Sequence, residues 1–259
     1  MRFVLAFLAA LAFSTLNHQA MAASAYNAET GEAFAEPTFR DLSMMLLMLD
    51  GIDVNNPKVA DDYAKMNFCG IYKDKYRNDF EWNKVRQQIT NRIASKKDYY
   101  RLQYELDGTI NLDRYNFDTQ DFPLTTRTAM VRVGSMILYD TSTALDNPKG
   151  RNRFLCIDDT ATRVFPGVYL FVLTQPLTFD RLKLPMDEAK ALLERFSSTK
   201  NNDRRLYVRF RIRITGISRV HVTQGANVAV DVKGDVVSLD VFLDSAMTKF
   251  MTSINITKF

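Results

Sequence analysis

From Arg205 to Ile214 the chain alternates without a fault: Leu206, Val208, Phe210, Ile212 and Ile214 are apolar, while Arg205, Tyr207, Arg209, Arg211 and Arg213 stand between them. A period of two is the pattern of a strand with one face on a core and the other toward water. A strand so divided belongs in an antiparallel sheet covered on one side, not in the doubly buried parallel sheet of an α/β fold.

The same period begins earlier. After Asp98, residues Tyr100, Leu102, Tyr104 and Leu106 alternate with polar ones, Asp107-Gly108 reads as a hairpin turn, and Ile110 and Leu112 resume the pattern. Further strands are expected at Thr128 to Val133, Arg153 to Ile157, Val164 to Thr174 and Leu177 to Leu184. Beyond the arginine strand, Lys233-Gly234 reads as a second hairpin turn. It would set Val230 against Val237 and Val228 against Leu239, with Asn227 facing Asp240.

Helical periods dominate the first part. Phe39 to Leu49 is apolar nearly all round and stops at Asp50-Gly51, so it predicts a buried helix, and a weaker pattern runs from Pro57 to about Asn67. Asn78 to Ser95 predicts the clearest helix, with Asn78 as cap, Glu81 three residues on, and Trp82, Val85, Ile89 and Ile93 along one face. One helix interrupts the strands, opened by Pro185-Met186-Asp187-Glu188 and buried through Ala189, Leu192, Leu193 and Phe196. Helices first and strands after imply an α+β domain, with N-terminal helices packed on a mainly antiparallel sheet and one inserted helix. A single domain over 37–259 is expected, helical over 37–97 and sheet-rich over 98–259; nothing resembles a linker or a repeat.

Ahead of this domain, Arg2, the apolar run Phe3 to Phe13 and the ending Ala20-Met21-Ala22 predict a secretory signal peptide over 1–22, cleaved after Ala22 or after Ala25. The run is too short to span a bilayer. Residues 23–36 are small and polar, which predicts a flexible start. Cleavage removes Arg2 and His18, so 34 basic residues become 33 against 30 acidic ones and His221 is the only histidine left. So small a surplus is not the footprint of a nucleic-acid binder, and neither a nucleic-acid partner nor a stable membrane span after cleavage is expected.

The segment Asn78-Asp79-Phe80-Glu81-Trp82, together with Leu182-Lys183-Leu184-Pro185-Met186-Asp187-Glu188-Ala189 and the leader, resembles an uncharacterised family of exported bacterial proteins known as a domain of unknown function. The resemblance spans nearly all the mature chain. It implies a periplasmic or secreted location and carries no catalytic residues with it.

Catalytic patterns are sparse. His221 is the one candidate base and lies between Val220 and Val222 on an expected strand or strand end; G-x-S-x-G and H-E-x-x-H do not occur. The ten glycines are scattered and compose neither a dinucleotide nor a phosphate loop, so no cofactor is expected. Asp50, Asp53 and Asn55 make a loose oxygen cluster, but Pro57 falls where a calcium loop would continue, and no metal is expected. Asp158-Asp159 is the best adjacent acid pair. It supports the alternative of an envelope hydrolase working through two carboxylates.

Cys69 and Cys156 are the only cysteines. In an oxidising compartment they would pair, closing a long loop worth about 4 kcal/mol in the chain-entropy model; the other reading is two buried thiols. The polar face of the alternating strand, Arg205, Tyr207, Arg209, Arg211 and Arg213, is the most distinctive surface, because guanidinium forks grip carboxylate and phosphate. An anionic envelope component or an acidic protein could dock there. Asp231, Asp240 and Asp244 could instead neutralise the arginines across strands. The expected function is thus a non-enzymatic binding or interaction protein of the cell envelope.

Overall fold

The computed structural model describes residues 25–26, 33–96, 101–140, 164–198, 203–222 and 228–256. Two short strands, β1 (Ala25–Tyr26) and β2 (Ala33–Phe34), precede four helices: α1 (Phe39–Met48), α2 (Pro57–Asn67), α3 (Cys69–Lys75) and α4 (Asp79–Lys96). The sheet region follows with β3 (Gln103–Asn111), β4 (Asp121–Pro123), β5 (Met130–Asp140), β6 (Val168–Phe179) and β7 (Arg181–Lys183). Helix α5 (Met186–Ser197) then leads to β8 (Arg205–Val222), β9 (Val228–Phe242) and β10 (Phe250–Asn255). This is an α+β fold. No helix among the described residues is long and apolar enough to cross a membrane.

The helices start where local chemistry says they should. The Thr38 hydroxyl accepts the Asp41 N–H at 3.1 Å and donates to the Asp41 carboxylate at 2.7 Å. Asn56 accepts the Lys58 N–H ahead of Pro57, and Asn78 accepts the Glu81 N–H at 3.2 Å. Helix α1 buries Leu42, Met45, Leu46 and Leu47, as its apolar surface requires. The buried Ser43 hydroxyl lies 3.2 Å from that of Tyr169 on β6, and Phe39 packs on the Tyr139 and Tyr169 rings. These contacts set the helical layer against the sheet.

The main sheet runs β3-β8-β9-β6-β5, with β10 also on β9. All pairs are antiparallel except β6 with β9. Along β9, Ala229 to Gly234 pair with β6 while Ser238 to Phe242 pair with β10, so one strand is flanked along most of its length and is buried accordingly. Its Val230, Val232, Val236, Leu239 and Val241 join Leu206, Val208, Ile212 and Ile214 of β8 in the core.

Two expected turns are not turns. Strand β9 passes straight through Lys233-Gly234, where Gly234 faces Ile214 and Leu173, and Val230 meets Val220 and Tyr169, not Val237. A Cβ on Gly234 would collide with the Arg213 carbonyl oxygen and come within 2.9 Å of the Phe171 ring, so the residue is glycine for close approach inside the sheet. Likewise β3 continues through Asp107-Gly108, opposite Arg209 and Val208. The Arg209 guanidinium donates to Asp107 at 2.9 and 3.3 Å, a cross-strand pair that outweighs a local turn preference. The expected strand Leu177 to Leu184 is divided between the end of β6 and β7, which pairs with β4 in a separate ribbon. Helix α3 had no expectation; Arg153 to Ile157, the leader and Asn227 lie outside the described residues.

Candidate functional site

Helices α2, α3 and α4 meet at a corner whose centre is Asp61. Its carboxylate accepts the Trp82 indole N–H at 2.8 Å, and Arg86 Nε and Nη2, each at 2.7 Å. Asp61 is mostly buried, so this two-pronged grip is a charge-assisted pair that fixes α4 to α2. Hydrogen bonding to Asp61 holds the Arg86 guanidinium above its ordinary range. Over this floor the Tyr72 and Tyr76 rings stack at 4.4 Å, and Trp82 stands edge-on to both at 5.3 Å. Burial, with a hydrogen bond to Tyr76, drives the Tyr72 hydroxyl well up.

On the outside of this floor lies an open groove of about 410 Å³ lined by Tyr76, Asp79, Trp82, Asn83 and Arg86. Asp79, Asn83 and Arg86 recur at the spacing of one helix face. Of its lining, the Tyr76 ring is 40% exposed, and the same two helices carry exposed Ile71 on α3 and Phe80 on α4. In the sequence Asn78 to Trp82 stands out as a capped helix start and as part of the family resemblance, but Asp61 does not, because its partner lies 25 residues on. The available signal was the polar face of α4 around the chain's one tryptophan.

Beneath the corner, buried Asp62 pairs with Lys65 at 3.4 Å and accepts the Val164 N–H at 3.0 Å. This ties the chain entering β6 to α2. Cys69 opens α3. Cys156 lies outside the described residues, as do Asp158 and Asp159.

The arginine strand is placed as the alternation requires. Arg205, Tyr207, Arg209, Arg211 and Arg213 share the polar face of β8, opposite the buried residues between them. Arg209 meets Asp107 at 2.9 Å and Glu105 at 3.6 Å, and Arg211 meets Asp240 at 3.0 Å. The Arg209 guanidinium lies over the Phe242 ring and that of Arg211 over Phe34. Asp203 stands 4.0 Å from the exposed Arg205. Of the three expected aspartates, Asp240 serves this face, Asp231 pairs with Arg219 at 2.9 Å, and Asp244 holds Thr248 and the Lys249 N–H. Glu105 and Asp107 were missed because they come from β3, whose place beside β8 is not written in either strand. Burial raises the Glu105 carboxyl above the usual range despite the neighbouring Arg209.

His221 Nδ1 is 3.7 Å from Asp231. Among the described residues no three His, Cys, Asp or Glu side chains gather as metal ligands. A family model described as a domain of unknown function, DUF4852, matches residues 56–195, a span that holds the helical corner and stops short of the arginine strand. No curated protein and no solved structure matches the chain.

Proposed function

Since the chain belongs to the DUF4852 family, a domain of unknown function, we propose that it is an exported, periplasmic, non-enzymatic binding protein of the cell envelope, and that its contact site is the groove at the helical corner. The observation that carries this is the open groove on a rigid floor, lined by the exposed Tyr76 ring on helices that also carry exposed Ile71 and Phe80. Apolar side chains left in water beside convergent polar groups mark a surface that meets something. The arginine strand is not assigned as the contact site, because Arg209 and Arg211 are already paired with Glu105, Asp107 and Asp240. Export rests on the leader-like pattern of residues 1–22.

A Cys69–Cys156 disulfide belongs to the same reading. Cys69 is not free, and the chain has one other cysteine. Asp62 of α2 holds Val164, and the eight residues from Cys156 to Val164 reach about 26 Å when extended, ample to bring Cys156 to Cys69 at the start of the neighbouring α3. Intact mass of the exported protein should rise by two hydrogens on reduction; an unchanged mass would dismiss the bond.

Co-sedimentation tests the main reading. The mature protein is expected to pellet with purified envelope fractions at low and high salt, and an Asp79→Ala/Asn83→Ala variant, changed only at exposed positions, to pellet at least about tenfold less. Wild-type protein that stays in the supernatant, or a variant that pellets equally, refutes it. Binding that vanishes at high salt and in an Arg209→Ser/Arg211→Ser variant, checked to be folded, would move the site to the arginine strand.

A further inference from the structure

The groove is chemically mixed in a way that narrows its occupant. Along one face of α4 it presents a carboxylate from Asp79, an amide from Asn83 and a guanidinium from Arg86, against the half-exposed ring of Tyr76. Asp61 occupies Arg86 Nε and Nη2, which leaves Nη1 as the remaining donor group. Asp79 and Asn83 make no hydrogen bond or ion pair to another side chain among the described residues. Asp61 ties α4 to α2 through Trp82 and Arg86, so the helix positions that carry these groups keep a fixed spacing before anything binds.

Charge excludes the first class of ligand. Asp61 cancels Arg86, so Asp79 leaves the groove with one surplus negative charge, and an anion would be repelled. A wholly apolar ligand would strip water from three polar side chains and return no hydrogen bond. An organic cation would satisfy Asp79 but set its charge against the Arg86 guanidinium, which has no acceptor to offer. A sugar ring meets every condition. Its hydroxyls both donate and accept, matching a carboxylate, an amide and a guanidinium, while its C–H face covers an aromatic ring.

We propose that the α4 groove binds a neutral saccharide, with Asp79, Asn83 and Arg86 reading the hydroxyls and Tyr76 forming the stacking wall. This rests on the groove being the contact site proposed above. Trp82 is the only tryptophan and lines the groove, so tryptophan fluorescence reports this corner of the molecule. The full-length processed protein is titrated with neutral trisaccharides, namely those of N-acetylglucosamine, glucose in α-1,4 and β-1,4 linkage, and mannose, with spermidine and sulfate as charged controls.

At least one neutral sugar should change the emission saturably, and Asp79→Ala or Asn83→Ala should weaken that response about tenfold or more. The Arg209→Ser/Arg211→Ser variant should respond as wild type does. No response to any neutral sugar, an equal response in the groove variants, or a response to spermidine or sulfate alone overturns the proposal. Groove-dependent pelleting with envelope but no sugar response defeats the saccharide and leaves the contact site standing; loss of both defeats the contact site as well.

Discussion

The helical corner and the arginine face of the sheet use the same device, an arginine held by a carboxylate, and arrive at opposite results. On the sheet, Arg209 and Arg211 point along a face where each meets acids from the neighbouring strands, and the charges close on one another. At the corner, a single pair, Asp61 with Arg86, is used as a floor, and the polar groups above it stay unmatched. A run of like charges in a sequence is therefore a poor guide to a site. What matters is which groups the fold leaves without a partner.

The sharpest test of this contrast is backbone tolerance. Gly234→Ala should cost about 3 kcal/mol or more by urea unfolding, because its Cβ has nowhere to go between Arg213 and Phe171, whereas Gly70→Ala in α3, with nothing within 4 Å, should be neutral or stabilise by about 0.5–1 kcal/mol. Equal effects would mean that the sheet is no more tightly packed than the corner. Next in size, Asp61→Ala should cost about 2–3 kcal/mol, since it strands the Trp82 N–H and a half-buried guanidinium at once. Asp107→Ala, at an exposed carboxylate whose arginine keeps Glu105, should cost under about 1 kcal/mol. Reversal of that order would make the sheet network the stiffer of the two.

The smallest effect concerns pH. Glu105 is raised by burial, so the folded state holds its proton more tightly than the unfolded chain does, and the contribution of this group to stability falls as pH rises through the carboxylate range. Glu105→Gln should accordingly be at least as stable as wild type at neutral pH, with the difference shrinking toward about pH 4. Urea midpoints at both pH values check this. A variant less stable at neutral pH would show that the ion pair with Arg209 outweighs the burial.

Most of the fold could be read from the chain because its signals were local. Thr38, Asn56 and Asn78 cap the helices they precede, and Leu206 to Ile214 alternate as they lie. The two misread glycines share a cause. Beside a polar residue, Gly108 and Gly234 look like turn tips, and only the strand alongside, Arg209 for one and Arg213 for the other, shows that the chain must continue straight. The groove was hidden for the same reason. Asp79, Asn83 and Arg86 read as an ordinary solvated helix face until Asp61, from another helix, turns Arg86 into a floor.

The pairing of β3 with β8 has a consequence in time. Arg209 and Asp107 are 102 residues apart, and β6 waits on β9 for its other neighbour. Closing so long a loop comes before any reward from the contacts it brings, so such a sheet forms slowly. A chain emerging from its N-terminus has its helices early but cannot complete the sheet until β8 and β9 have arrived. During that interval the edges of β3 and β6 that will meet those strands stand unpaired.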